Sequence, residues 1–82
     1  MLELYQFEGC PFCSRVRLAL DGLGLDYVVR TVPRAEPLRG RVKAVSGQTQ
    51  VPVLVDPDRK KVVIESEEII EYLGRHYGRK ET

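Results

Sequence analysis

The sequence has no tryptophan, no asparagine, one methionine, one histidine and only two cysteines. Two cysteines are too few for a small protein scaffolded by disulfides. With His76 as the only histidine, a tetrahedral zinc site within the chain is short of ligands, although a cluster shared between two chains stays open. No apolar run approaches the ~18 residues that span a bilayer, and no basic segment leads into a secretory core. The expectation is a cytoplasmic protein with no membrane partner. Charge of either sign is also lacking in excess: 13 Lys+Arg face 12 Asp+Glu for a net charge of +1. Without a basic block or an aromatic–arginine stripe, nucleic acid is not an expected partner. Eighty-two residues make one small domain, residues 1–82. A chain of this size buries roughly 60–65% of its unfolded surface, enough to fold without a metal or a structural disulfide.

What is present has a clear order. Leu2–Phe7 alternates as a half-buried strand, and a helix follows from about Pro11 to Gly22 or Gly24, with Phe12, Val16, Ala19, Leu20 and Leu23 inward. The β-branched run Tyr27–Val32 predicts a second strand, broken by Pro33. A weaker helix is expected over Pro37–Val45, with Leu38, Val42 and Val45 on one face. Pro52–Val55 and Val62–Ile64 read as strands of an antiparallel hairpin, because the connection through Asp56-Pro57-Asp58-Arg59 is too short for a crossover helix. The last helix is expected from Ser66, as N-cap, to His76, with Ile69, Ile70, Leu73 and Tyr77 inward; 78–82 reads as a charged tail. The class is α/β, with order βαβ-α-ββα and a four-stranded mixed sheet flanked by three helices.

Cys10-Pro11-Phe12-Cys13 sits where the first strand gives way to the first helix. As a structural bridge the pair gains little: closing a loop of ~4 residues is worth only about 2 kcal/mol in the chain-entropy estimate. As a redox pair each residue has a role. Unpaired amides of a first helical turn can hydrogen-bond a thiolate at Cys10, and C-x-x-C thiols of this kind ionise well below the ~8.5 of free cysteine. Cys10 is then the attacking sulfur at an exposed helix start, Cys13 the resolving one turned inward, and Pro11 keeps the turn stiff. Glu8, two residues upstream, opposes an extreme effect.

Three motifs in order carry a resemblance that covers nearly the whole chain: Cys10-Pro11-Phe12-Cys13, the stretch Gly47–Leu54 containing Val51-Pro52, and Ile64-Glu65-Ser66. They resemble glutaredoxin, of the branch whose thioredoxin-fold domain is shared with the N-terminal domain of glutathione transferases. The resemblance implies a glutathione-dependent thiol–disulfide oxidoreductase, with glutathione as co-substrate, disulfide-containing proteins as partners, no metal and a monomeric state. It implies a cis peptide before Pro52, with Val51 offering its backbone to glutathione. Glu65 and Ser66 would hold the γ-glutamyl end, and Gln50 and Lys43 stand, less securely, where transferases contact the glycyl carboxylate. Glu8 and Phe12 depart from the lysine and tyrosine many glutaredoxins carry there. The helical domain of the larger relatives is absent from these 82 residues, which argues against a transferase unless the chain is a fragment of a longer protein. Two alternatives stay open: a thioredoxin-like carrier reduced by a flavoprotein, and a glutathione or iron–sulfur scaffold without turnover. Arg34, Arg39 and Arg41 read as a solvated face, with a positive rim near the site as the alternative, His76 as a surface or helix-end residue and the four tyrosines as packing.

Overall fold

The computed structural model describes residues 1–78. Its elements are β1 (Leu2–Gln6), α1 (Pro11–Gly22), β2 (Tyr27–Thr31), α2 (Gly40–Ser46), β3 (Val53–Asp56), β4 (Lys61–Ile64) and α3 (Ser66–Tyr77). A single 3₁₀ turn over Glu36–Leu38 precedes α2. The sheet runs β2-β1-β3-β4, with β2 parallel to β1, and β1–β3 and β3–β4 antiparallel. This is the thioredoxin-like mixed sheet with three helices that the sequence leads one to expect. Of the tail expected at 78–82, the part beyond Gly78 lies outside the described residues.

The central strands bury both faces, which is why β1 alternates only loosely. Leu4 and Leu54, opposite one another in the β1–β3 ladder, join Val16 and Leu20 of α1 and Ile69, Tyr72 and Leu73 of α3 in one cluster. The next pair in register, Tyr5 and Val53, packs with Val32 and with Val42 of α2 on the other side. A one-residue slip would exchange these two sets, so packing pins the register. Truncating Leu54, fully buried in the sheet, to alanine is expected to cost about 3 kcal/mol, readable as a lower urea midpoint.

Three local expectations are corrected. Phe12 does not face the core but is 56% exposed, because it sits at the second helical position on the side of α1 turned away from the sheet. Leu38 is 67% exposed: the chain kinks at Arg39 (φ −98, ψ 48), which separates the 3₁₀ turn from α2 and rotates Leu38 outward. Ser66 is not the N-cap of α3. Glu65 holds that position with φ 72, and Ser66 is the first helical residue.

At the far end of β3, buried Asp56 ties the sheet to α3. Its Oδ2 accepts hydrogen bonds from the Tyr72 and Tyr77 hydroxyls at 2.7 and 2.8 Å. Burial alone would raise the Asp56 carboxyl, but the tyrosine hydrogen bonds and Arg59 outweigh it and hold the group below its ordinary value. Burial, helped by Asp56, pushes Tyr72 up to about 12. The depressed carboxyl stabilises the fold above the unfolded value of about 3.9, and that stability is lost as pH falls below it. The raised phenol does the reverse, its contribution being lost between about pH 10 and 12. Urea unfolding across pH should therefore show the gap between the protein and Asp56→Asn closing at both extremes. A gap independent of pH would contradict this coupling.

Candidate functional site

β1 delivers the chain into a tight turn in which the Cys10 amide bonds back to the Phe7 carbonyl at 3.4 Å. Gly9 takes φ +86 there, a value that favours glycine. Pro11 then opens α1, where its missing N–H costs nothing. Cys10 caps its own helix: Sγ accepts the Cys13 amide at 3.3 Å, and its carbonyl accepts the Ser14 amide at 3.0 Å. The sulfur is thus aimed at the positive end of the helix.

Both thiols are free. Cys13 is turned inward as expected, at 0% exposure, but Cys10 is 5% exposed rather than openly presented. Its sulfur folds back over the first turn to reach the Cys13 amide, and it meets solvent only through the wall of a cleft. Burial pushes the Cys13 thiol up to about 12, with the hydrogen bond to Cys10 adding to the effect. The Phe7 amide and the Arg17 charge pull the other way without prevailing. Cys13 is therefore a neutral thiol at physiological pH.

The Val51–Pro52 peptide is cis. The Gln48 side chain clamps the residue before it: Oε1 accepts the Gln50 amide at 2.7 Å, and Nε2 donates to the Gln50 carbonyl at 3.0 Å. Among the described residues no hydrogen bond is made to the amide or carbonyl of Val51. At α3, Glu65 makes no side-chain cap, and the first intrahelical bond is Ile69 to the Glu65 carbonyl at 2.9 Å. The amides of Ser66, Glu67 and Glu68 are thus the orphan donors of that helix.

These pieces meet in two adjoining clefts. One, of about 280 Å³, is lined by Gln50, Val51, Pro52, Glu65, Ser66 and Glu67, with Phe12 and Arg15 of α1 opposite. The other, of about 520 Å³, contains Cys10 and Pro11 and is walled by Phe7, Arg34, Glu36 and Arg39. Phe12, Gln50 and Val51 belong to both. The sequence-derived set Cys10, Pro11, Phe12, Gln50, Val51, Pro52, Glu65 and Ser66 is therefore brought together. Cys13 lies behind it, and Lys43, exposed on α2, lines neither cleft.

Sequence reasoning missed Arg15, although its three-residue spacing from Phe12 puts both on one helix face. It also misread Arg39 as solvated. Arg39 is only 7% exposed and donates to the carbonyls of Pro33, Thr49 and Arg34 at 2.9, 3.0 and 2.7 Å. Arg34 and Arg39 both lie over the Phe7 ring, 5.2 and 5.1 Å from its centre. Elsewhere His76 is an exposed helix-end residue whose ring lies 4.5 Å from that of Tyr72, tilted by 48°. Among the described residues no cluster of three or more His, Cys, Asp and Glu side chains could hold a metal, and no helix is long and apolar enough to cross a membrane.

Residues 4–81 match the family described as glutathione S-transferase, N-terminal domain. The chain is 44% identical over 54 residues to prostaglandin E synthase 2 of Mus musculus, covering 66% of this chain and 13% of that one. A glutathione transferase homolog from Drosophila mojavensis with bound glutathione superposes at a TM-score of 0.85 with 27% identity, over 96% of this chain and 36% of that one. Glutaredoxin 2 from Salmonella typhimurium in complex with glutathione superposes at 0.83 with 23% identity, over 96% and 35%; at that identity the likeness is one of fold. The chain spans 13% of the curated relative and 36% and 35% of these two structures.

Proposed function

Because this chain belongs to the glutathione S-transferase N-terminal domain family, we propose that it binds glutathione and uses Cys10 to exchange thiols and disulfides. The observation that carries this reading is the convergence of Val51, Pro52, Glu65 and Ser66 in one cleft beside the cysteine that caps α1. Glutathione is an extended peptide with a carboxylate at each end. The unpaired backbone of Val51 can pair with it in the manner of strand addition. The orphan amides at the start of α3, with the Ser66 hydroxyl, can take its γ-glutamyl carboxylate, and Glu65 its amino group.

In the reaction the Cys10 thiolate attacks the glutathionyl sulfur of a mixed disulfide. A Cys10–glutathione disulfide forms, and the other half leaves as a thiolate that takes up a proton. A second glutathione thiolate then attacks the bound glutathionyl sulfur, releasing oxidised glutathione and restoring the Cys10 thiolate. Cys13, buried and pushed up to about 12, is poorly placed to compete for that second step. The physiological substrate is a glutathionylated or disulfide-bearing molecule.

The family match also favours a second reading, conjugation of glutathione to an electrophile. There residue 10 need only hydrogen-bond the thiolate of glutathione itself, which a serine hydroxyl can do. Retained conjugation by Cys10→Ser would select that reading. The site itself is tested by titrating glutathione against the protein in NMR. Shifts are expected at the amides of Val51, Glu65, Ser66 and Glu67; shifts confined to other surfaces, or none, would overturn it.

A further inference from the structure

Gln6 closes β1 with only 2% of its surface exposed, yet its side-chain amide is engaged at both ends. Nε2 donates to the Thr31 hydroxyl at 3.0 Å, and Thr31 is its register partner at the end of β2. Oε1 accepts from the Arg17 guanidinium of α1. A buried amide anchored on the neighbouring strand thus fixes a half-buried cation against the sheet. Burying a side-chain amide costs free energy unless its donors and acceptors find partners, so these bonds set where the guanidinium lies. None of Gln6, Arg17 and Thr31 lines either cleft, and the glutathione reading gives them no part.

Their neighbour is Cys13. Arg17 follows it by one helical turn on α1, which puts both on one face of the helix. Helical side chains lean toward the N-terminus, so the Arg17 side chain runs back over the turn that carries Cys13. From the strand, Gln6 adjoins Phe7, whose amide favours the Cys13 thiolate, and the Arg17 charge acts in the same direction. Among the described residues no carboxylate lies within 4.0 Å of Arg17; Asp21, one turn further along, is exposed. The fully buried sulfur therefore has one uncompensated cation fixed on its own helix face.

We propose that Arg17, held by Gln6, is a positioning residue for Cys13: it supplies the counter-charge whenever that sulfur leaves or enters a disulfide with Cys10. This rests on the thiol–disulfide reading above. When a small thiolate attacks the Cys10 sulfur of the oxidised pair, a new bond to Cys10 forms and the Cys10–Cys13 bond breaks. The electron pair departs on Cys13, an anion in the interior until it takes a proton from solvent. In the reverse direction Cys13 gives up its proton and attacks the Cys10 sulfur, expelling the small thiolate. Cys13 is uncharged at both ends of this step, as half of a disulfide or as a neutral thiol, and anionic only between them. A fixed cation therefore speeds opening and closing alike and leaves their equilibrium where it was.

The test uses 2-mercaptoethanol, which needs no glutathione site, on the oxidised full chain and its Arg17 variants. Opening is followed by acid quench and mass spectrometry. Closing is followed from the Cys10 mixed disulfide after a jump from acid to neutral pH. Arg17→Gln should slow both by about tenfold, the scale of one charge at this range, and shift their ratio by less than about twofold. Arg17→Lys, which keeps the charge, should stay within about threefold of the unaltered protein. Arg17→Met, which keeps the aliphatic stem, replaces Arg17→Gln if that variant does not fold. Unchanged rates in the neutral variants, Arg17→Lys as slow as Arg17→Gln, or a ratio moved as far as the rates would overturn the proposal. So would an oxidised protein that forms no Cys10–Cys13 disulfide, and that result would leave the Cys10 mixed-disulfide reading standing. Glutathione mixed disulfides left unreduced by a protein that passes these tests would overturn the glutathione reading alone.

Discussion

Cys10→Ser should lower the rate of glutathione mixed-disulfide reduction by on the order of 10³-fold or more, while Cys13→Ser keeps it within about threefold. The asymmetry follows from where the two sulfurs lie. Cys10 borders a cleft and accepts a helix-start amide; Cys13 is sealed in the interior and held protonated by burial. A serine hydroxyl at position 10 could still accept the Cys13 amide, so the fold should survive and the loss would report on the nucleophile. Reduction of disulfides inside a protein, where no glutathione is bound in the first step, should suffer more from Cys13→Ser, because the second thiol is then the nearest resolving group. Glutathione-coupled assays of both variants on both substrate types check this. Equal loss in the two variants on mixed disulfides would mean that Cys13, despite its burial, carries the second step.

The second large effect is expected at the start of α3. A hydrogen bond to a charged group is worth about 1.5–3 kcal/mol, so Ser66→Ala and Glu65→Ala should each raise KM for glutathione by about 10- to 100-fold. The rate at saturation should change far less, since neither group touches the reacting sulfur. Glu65 allows a sharper separation of binding from folding. It sits at φ 72, a left-handed conformation that costs a non-glycine residue roughly 1–2 kcal/mol. Glu65→Gly should therefore unfold at an equal or higher urea concentration while binding glutathione more weakly. A variant that loses stability and keeps its affinity would remove Glu65 from the binding role.

These residues differ in how far the chain announces them. Cys10, Pro11 and Cys13 were legible because a strand, a paired cysteine motif and a helix start are all local patterns. Val51-Pro52 and Glu65-Ser66 were legible only as motifs of a resembling family. Their meeting depends on β3 running antiparallel to β1 and on the β3–β4 hairpin returning the chain beside α1. The alternating and β-branched runs located all four strands, since burial on two faces still leaves hydrophobic segments bounded by turns.

Two of the misreadings trace to side chains that satisfy backbone groups. Arg39 looked like one of three surface arginines, yet it closes the loop by reaching the Pro33, Arg34 and Thr49 carbonyls, and that interior role kinks the chain and turns Leu38 out. Ser66 looked like the cap because serine is a good one. The cap instead falls one residue earlier, at Glu65, whose side chain leaves the end uncapped. Cys10 was expected to be open because it begins a helix; the bond from the Cys13 amide folds its sulfur inward.

The most direct measurement is alkylation of the reduced native protein by iodoacetamide at pH 7, with the modified residue located by mass spectrometry. The expected result is labelling at Cys10 several-fold faster than glutathione reacts under the same conditions, with Cys13 labelled only after unfolding. Labelling of Cys10 no faster than glutathione, or labelling of Cys13 first, would contradict an activated sulfur at the mouth of α1.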